Sequence, residues 1–213
     1  EFRRVLFRSH YDENGLALAA RADVVEAGKA PAAVQKLAKK YASNAEWKAE
    51  GKGDVAWFLD ETTAADKAVV AAAKKLFAAA KVKPVVITGG SIGKALKVLG
   101  YLDDAKVNAE GFAAFVNGLG VKTLVVSNPA AYDALTKDYP EMGVKLQPKV
   151  LCFSGFLVQA KVAFKKAAGE VYYLADDFMR NYDHCECPEK LLKALKADNK
   201  PFGTNDEESY CCG

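Results

Sequence analysis

Four short apolar runs, the first three followed by helix-forming sequence, restrict the fold of this chain more than any other feature. They are Val55-Ala-Trp-Phe-Leu59, Pro84-Val-Val-Ile-Thr88, Thr123-Leu-Val-Val-Ser127 and Lys149-Val-Leu-Cys-Phe153. The first is apolar throughout and does not alternate, as suits a strand buried on both faces. Between the runs lie helical stretches. Thr63 or Asp66 is placed to cap a helix reaching Ala80, where alanine and lysine give high propensity. A short helix follows Gly89-Gly90-Ser91, and another covers residues 103–118 and ends at Gly118-Leu119-Gly120. Asn128-Pro129 opens a helix carrying Tyr132 and Leu135. This alternation predicts an α/β fold with a parallel sheet.

Upstream, residues 15–42 read as a helical segment with an apolar face of Leu16, Ala20 and Val24, continued by Val34, Leu37 and Tyr41. Gly28 and Pro31 split it into two helices. Asn44 to Gly53 is polar and contains glycine, and it reads as a linker. Residues 1–9 differ in character and match the in-frame translation of a sequencing-adapter oligonucleotide, so they are expected to be foreign to the native chain. Without Arg3, Arg4, Arg8 and Glu1 the formal net charge of +3 falls to about +1. Nothing then points to nucleic acid or another acidic partner. No apolar run approaches the roughly 18 residues of a membrane span.

Downstream the pattern restarts. Glu170-Val-Tyr-Tyr-Leu-Ala175 resembles Asp54-Val-Ala-Trp-Phe-Leu59, with Tyr172 and Tyr173 as strand core and cover. Residues from Pro188 to Leu195 are helical, and Tyr210-Cys211-Cys212-Gly213 falls where Ile87-Thr88-Gly89-Gly90 fell. The expectation is two tandem repeats, each a small parallel-type sheet flanked by helices, with the second truncated. In that division residues 10–53 are a helical linker segment. Residues 54–160 are the first repeat, and residues 161–213 are the second.

Cysteine chemistry concentrates in the second repeat. Adjacent cysteines seldom reach disulfide geometry with each other. Two thiolates side by side before a glycine can both point at iron or zinc. Cys211 and Cys212 are therefore the first candidate ligands. Cys185 and Cys187 are the second, Cys187 preceding Pro188 at a helix start where a thiol's pKa is lowered. His184, Asp176 and Asp177 are weaker candidates, the aspartates being placed to cap a helix. Cys152, inside an apolar run, reads as a small core residue. Five cysteines, an odd number bunched toward one end, fit a reducing compartment, and the cytoplasm is the expected location. The lysine-rich helical faces (Lys36, Lys39, Lys40; Lys74, Lys75; Lys165, Lys166) read as solvated surface.

The glycine-rich corner Thr88-Gly-Gly-Ser-Ile-Gly-Lys-Ala95 invites comparison with nucleotide loops. A P-loop needs glycine where Thr88 stands and a hydroxyl where Ala95 stands, so that motif fails. The short-chain dehydrogenase pattern also loses its last glycine to Ala95, and no Tyr-x-x-x-Lys pair follows. A tight strand-to-helix turn is the favoured reading, with a nucleotide-dependent dehydrogenase-like protein third among the functional readings.

Taken together, residues 15–213 resemble the cysteine-rich, CCG-domain iron–sulfur proteins, such as the cysteine-rich subunit of heterodisulfide reductase and the iron–sulfur subunit of glycolate oxidase. Their repeats each carry an early cysteine, a Cys-Cys-Gly and a later Cys-Pro-x-Cys. Here Glu207-Glu-Ser-Tyr-Cys-Cys-Gly213 resembles the family's Glu-Asn-Ser-Phe-Cys-Cys-Gly, and Cys187-Pro-Glu-Lys-Leu-Leu192 resembles its Ala-Pro-Arg-x-Leu-Leu. Residues 118–139 resemble the stretch leading into Ser-Cys-Pro-x-Cys-Tyr. In the first repeat Glu61 or its neighbours stand for the early cysteine, Gly89-Gly90 for Cys-Cys, and Asn128-Pro-Ala-Ala131 for Cys-Pro-x-Cys. That repeat should bind no cluster.

The resemblance implies one [4Fe-4S] cluster in the second repeat, held by Cys211 and Cys212 with Cys185, Cys187 or cysteines beyond Gly213. It implies an electron-transfer subunit of an oxidoreductase complex, partnered by flavin-containing or quinone-linked subunits. The location would be cytoplasmic, or peripheral at the inner face of the membrane through a partner. The alternative reading is a cluster-less docking paralogue.

Overall fold

All four apolar runs form strands. The computed structural model describes residues 13–166, 169–174 and 186–200. The chain opens with helices α1 (Glu13–Glu26) and α2 (Ala32–Ser43), parted at Gly28 and Pro31 as expected. Then come β1 (Lys48–Glu50), β2 (Val55–Leu59), α3 (Glu61–Ala65), α4 (Lys67–Ala79) and β3 (Val85–Thr88). Helices α5 (Lys94–Leu99) and α6 (Leu102–Gly118) lead to β4 (Thr123–Val126). After it, α7 (Pro129–Asp133), a π turn (Ala134–Asp138) and α8 (Tyr139–Glu141) form one continuous helical rod. The five-stranded sheet is completed by β5 (Lys149–Cys152), followed by α9 (Phe153–Gln159). Beyond it are β6 (Glu170–Tyr172), α10 (Glu186–Ala194) and β7 (Asp198–Lys200).

The fold is α/β. Strands β3, β2, β4 and β5 run parallel, and β1 adds an antiparallel edge on β3, giving the order β1-β3-β2-β4-β5. Successive side chains of a strand face opposite ways, so β2 feeds two cores. Ala56 and Phe58 pack with Phe112 and Val116 of α6 and with Leu135 and Tyr139 of the helical rod. Trp57 packs on the other face with Phe77 of α4 and with Phe156 and Leu157 of α9. Leu191 of α10 joins that second core at its margin. Strands β6 and β7 pair parallel in a separate two-stranded sheet. Among the described residues no helix is long and apolar enough to cross a membrane.

Four expectations need correction. Residues 44–53 hold β1, because a three-residue antiparallel edge needs no apolar run to be recognised by its neighbour. Asp60, and not Thr63, caps α3, accepting from the backbone N–H of Thr62 and Thr63; Asp66 does cap α4. Helix α1 is rotated from its expected face, so that Leu16 and Val24 are exposed. Gly100 accounts for the rotation: a side chain there would meet the carbonyl of Arg21 at 2.6 Å, so its absence lets the α1 backbone lie directly against it. Tyr172 is exposed rather than core, since nothing described covers that side of β6. Cys152 is buried as expected, and the named lysines lie on exposed helix faces or loop.

Tyr139 gives the fold a pH signature. Its hydroxyl donates to the Ile92 carbonyl at 3.1 Å, and burial, with the charge of Asp138 beside it, pushes its pKa well above the usual phenolic value. Below pH 10 both the native and unfolded states hold this proton, so its contribution is complete. Above that pH the unfolded chain loses the proton and the native state keeps it. Stability should then fall by about 1.4 kcal/mol per pH unit from this one group. Lys97 acts in the same direction. Burial pulls its pKa down, but hydrogen bonds to Asp138 and Glu141 outweigh that and raise it, so its contribution is lost as pH climbs through the folded value. Urea midpoints for Tyr139→Phe should decline less steeply from pH 9.5 to about 11 than those of the parent. Equal slopes would contradict this assignment.

Candidate functional site

From β2 the chain crosses to β3 on one side, and it later returns to β4 on the other. The strand order therefore reverses between β2 and β4. In open α/β sheets the crevice outside the carboxyl ends of such a pair is where ligands bind. A cleft of about 340 Å³ opens there, its wall including Asp60, Glu61, Gly90, Ser91, Lys94 and Asn128. Ala130 and Ala131 also reach it. The stretches around Glu61, at Gly90 and from Asn128 to Ala131, which were compared above with cysteine segments of the resembled family, thus contribute to one cleft, although nearly seventy residues of chain separate the first from the last.

Asp60, Asn128, Asn44, Glu61 and Ser91 of this cleft are engaged in hydrogen bonds that cross between its loops. Asp60 Oδ1 accepts from the Thr62 and Thr63 amides and from Asn128 Nδ2, each at 3.1 Å, while Oδ2 accepts from the Thr63 hydroxyl at 2.6 Å. Asn128 Oδ1 accepts from the Ala130 amide at 2.9 Å and so caps α7. Asn44 reaches two loops: its side chain donates to Glu61 at 3.2 Å, and its carbonyl accepts from the Ser91 amide at 2.5 Å. The donor set is carboxylate, amide and hydroxyl. Iron–sulfur ligation requires thiolate, so these residues do not fit a cluster. Among the described residues no group of three or more His, Cys, Asp or Glu is arranged to hold a metal ion.

Gly89, Gly90 and Gly93 all take positive φ and make the tight strand-to-helix turn expected of them. Gly90 is further constrained by Trp47, a residue that carries no motif in the sequence. A Cβ on Gly90 would overlap the indole Nε1, Cδ1 and Cε2 atoms. The indole itself packs edge-on against Phe112, with ring centroids 5.6 Å apart, and its Nε1 is buried with no acceptor among the described residues.

Lys94 follows that turn and reaches into an acidic cluster. Its Nζ bonds Asp133 Oδ2, and Asp138 Oδ2 at 2.8 Å; Lys97 bonds Asp138 Oδ1 and Glu141 Oε2, both at 2.7 Å. Asp133 and Asp138 are five residues apart, which on an α-helix would place them roughly 140° apart around the axis. The i→i+5 pattern of a π turn brings such residues into line instead, and the turn Ala134–Asp138 lies between them. This engagement of Lys94 counts against a phosphate-binding role for the glycine corner.

A second cleft, of about 290 Å³, lies beyond β4 and β5. It is lined by Ser127, Asn128, Cys152, Ser154, Tyr173 and Pro188, among others. Cys152 caps α9, its Sγ accepting from the Gly155 amide at 3.4 Å. Pro188 stands in the first turn of α10, one residue after Cys187, and brings the backbone of that predicted ligand close to the end of the first sheet. Cys185, Cys211 and Cys212 lie outside the described residues, as do Asp176, Asp177 and His184. Comparison with protein-family models, with curated proteins and with solved structures returns no match.

Proposed function

We propose that the chain is an iron–sulfur electron-transfer subunit of an oxidoreductase complex of the heterodisulfide reductase or glycolate oxidase type. In this reading its first repeat is an empty lobe and its second carries the cofactor. The observation that supports this is the gathering of the three cysteine-aligned stretches of the first repeat around one cleft. In the second repeat the donor set changes to thiolate. Cys211 and Cys212 are the principal ligands, with Cys185 or Cys187 supplying others, and thiolates suit a [4Fe-4S] cluster. When bound, the cluster supplies one-electron redox chemistry at a potential set by hydrogen bonds to its sulfurs and by solvent exposure. The chain's own work is to hold the thiolates and to present the lobe to a flavin-containing or quinone-linked partner. The site of action is the cytoplasm, or the inner membrane face through that partner.

A second reading, a cluster-less docking paralogue, is favoured by the oxygen-only donor set of the first cleft. One experiment separates them. The protein is expressed and reconstituted anaerobically, and iron and sulfide are measured with its electronic and paramagnetic spectra. About four irons per chain, lost in a Cys211→Ser/Cys212→Ser variant that still folds, is the expected result. A folded parent without iron would leave the docking reading.

A further inference from the structure

Loops at the carboxyl ends of parallel strands leave the sheet with no ladder bonds of their own, so something else must hold them in place. In the first lobe three such loops meet: Asp60-Glu61 after β2, Gly89 to Ser91 after β3, and Ser127-Asn128 after β4. We propose that this lobe holds its loops with a protein cross-link where the resembled family aligns cysteine ligands, and that Trp47 closes the space beside Gly90 to thiolate. The comparison with cysteine positions rests on the function proposed for the chain; the cross-link itself does not.

Asp60 and Asn128 form the clasp. Each holds its own loop through a cap, Asp60 on the amides of Thr62 and Thr63 and Asn128 on the amide of Ala130. They also hold each other, Asn128 Nδ2 donating to Asp60 Oδ1 at 3.1 Å. The adjacent strands β2 and β4 are thereby tied across the point where the strand order reverses. Asn44, at the end of α2, adds the third loop by binding Glu61 with its side chain and Ser91 with its carbonyl. Ser91 in turn accepts from the Gly93 amide at 3.3 Å, which fixes the corner leading into α5.

Trp47 makes the arrangement exclusive. A cysteine at position 90 would need its Cβ inside the indole ring, and the positive φ of Gly90 disfavours any side chain. The indole is held from behind by Phe112 and Phe115. Restoring sulfur to this corner therefore requires moving a tryptophan out of a packed core, in addition to changing glycine to cysteine. The lobe keeps its shape without iron, and that shape is what it offers to a partner.

The test uses a double-mutant cycle on the full chain. Asp60→Ser and Asn128→Ser keep a cap oxygen but are too short to reach each other, so folding should survive. The two changes are expected to be non-additive by about fivefold in the unfolding equilibrium constant. Additive effects would overturn the clasp. In parallel, a variant with Cys185, Cys187, Cys211 and Cys212 all replaced by serine should give the same urea transition after reconstitution with iron and sulfide as in the presence of a chelator. Iron retained by that variant, with a raised midpoint, would place metal in the first lobe and overturn the proposal. Non-additivity in a protein whose parent binds no iron would keep the clasp while removing the cluster reading, so the two failures are distinct.

Discussion

Lys94→Met is expected to destabilise the protein by about 3–5 kcal/mol, the usual range when one partner of a buried ion pair is removed. Asp133 and Asp138 have side chains only 1% and 5% exposed, and Lys94 is the cation that touches both. Asp138 keeps Lys97 when Lys94 is lost. Asp133 keeps no cation among the described residues, and its second oxygen already lacks a hydrogen-bond partner there. Most of the cost should therefore come from Asp133, and an Asp133→Asn change in the Lys94→Met background should recover part of it. Urea unfolding of the two variants measures this directly. A loss below about 1 kcal/mol, typical of exposed pairs, would mean that water reaches the cluster.

Trp57→Ala should cost a similar amount, about 3–5 kcal/mol, from the lost burial and the cavity it leaves. Trp57 is fully buried, packs against Phe77 at a centroid distance of 5.4 Å, and donates from Nε1 to Ser127 Oγ at 2.9 Å. That hydrogen bond anchors the end of β4 one residue before Asn128. Trp57→Phe should be milder, retaining a ring but leaving the Ser127 hydroxyl without its donor, which costs about 1–3 kcal/mol if the group stays buried. Thermal and urea unfolding of both variants rank them. A Phe variant as damaging as the Ala variant would show that the hydrogen bond outweighs the packing.

The parallel sheet is legible because each of its strands is apolar on both sides, and no helix of that length needs such a run. Gly28, Pro31 and Asp66 mark helix ends through chemistry that acts within one turn, so they too can be read locally. The errors share a different cause. The orientation of α1 depends on Gly100, more than seventy residues away, and the apolar pattern of α1 itself does not report it. Strand β1 is defined by its pairing with β3, and Lys48-Ala49-Glu50 carries no sign of that. Asp60 escapes notice as a cap when the helix signal is sought at Thr63 and Asp66, although Asp before Glu-Thr-Thr is a serviceable N-terminal signature.

The candidate site divides along the same line. Its location follows from the aligned stretches, since those stretches end strands and strand ends of a parallel sheet meet. Its contents do not, because Trp47 enters the corner from beside β1 and Lys94 is drawn to two aspartates whose spacing matches no α-helical face. A pair of acids five residues apart just after an Asn-Pro start is the available signal. It becomes interpretable only when a π turn is considered.

That π turn also sets how many residues this part of the chain can lose. Asn128 and Pro129 sit at one end of the helical rod and Tyr139 at the other, and the wide turn between them holds one residue more than an α-helical turn. Removing a single residue such as Thr136 would convert it to plain α-helix with little change in the relative rotation of the ends, because a five-residue π turn and a four-residue α turn bring the chain round by nearly the same angle. The two aspartates, then four positions apart, would still share a face and could still meet Lys94. Removing a second residue would find no wide turn to absorb it and would swing one end against the other by about 100°. Asn128 would turn away from Asp60, or Tyr139 from Ile92, so the rod tolerates the loss of one residue and no more.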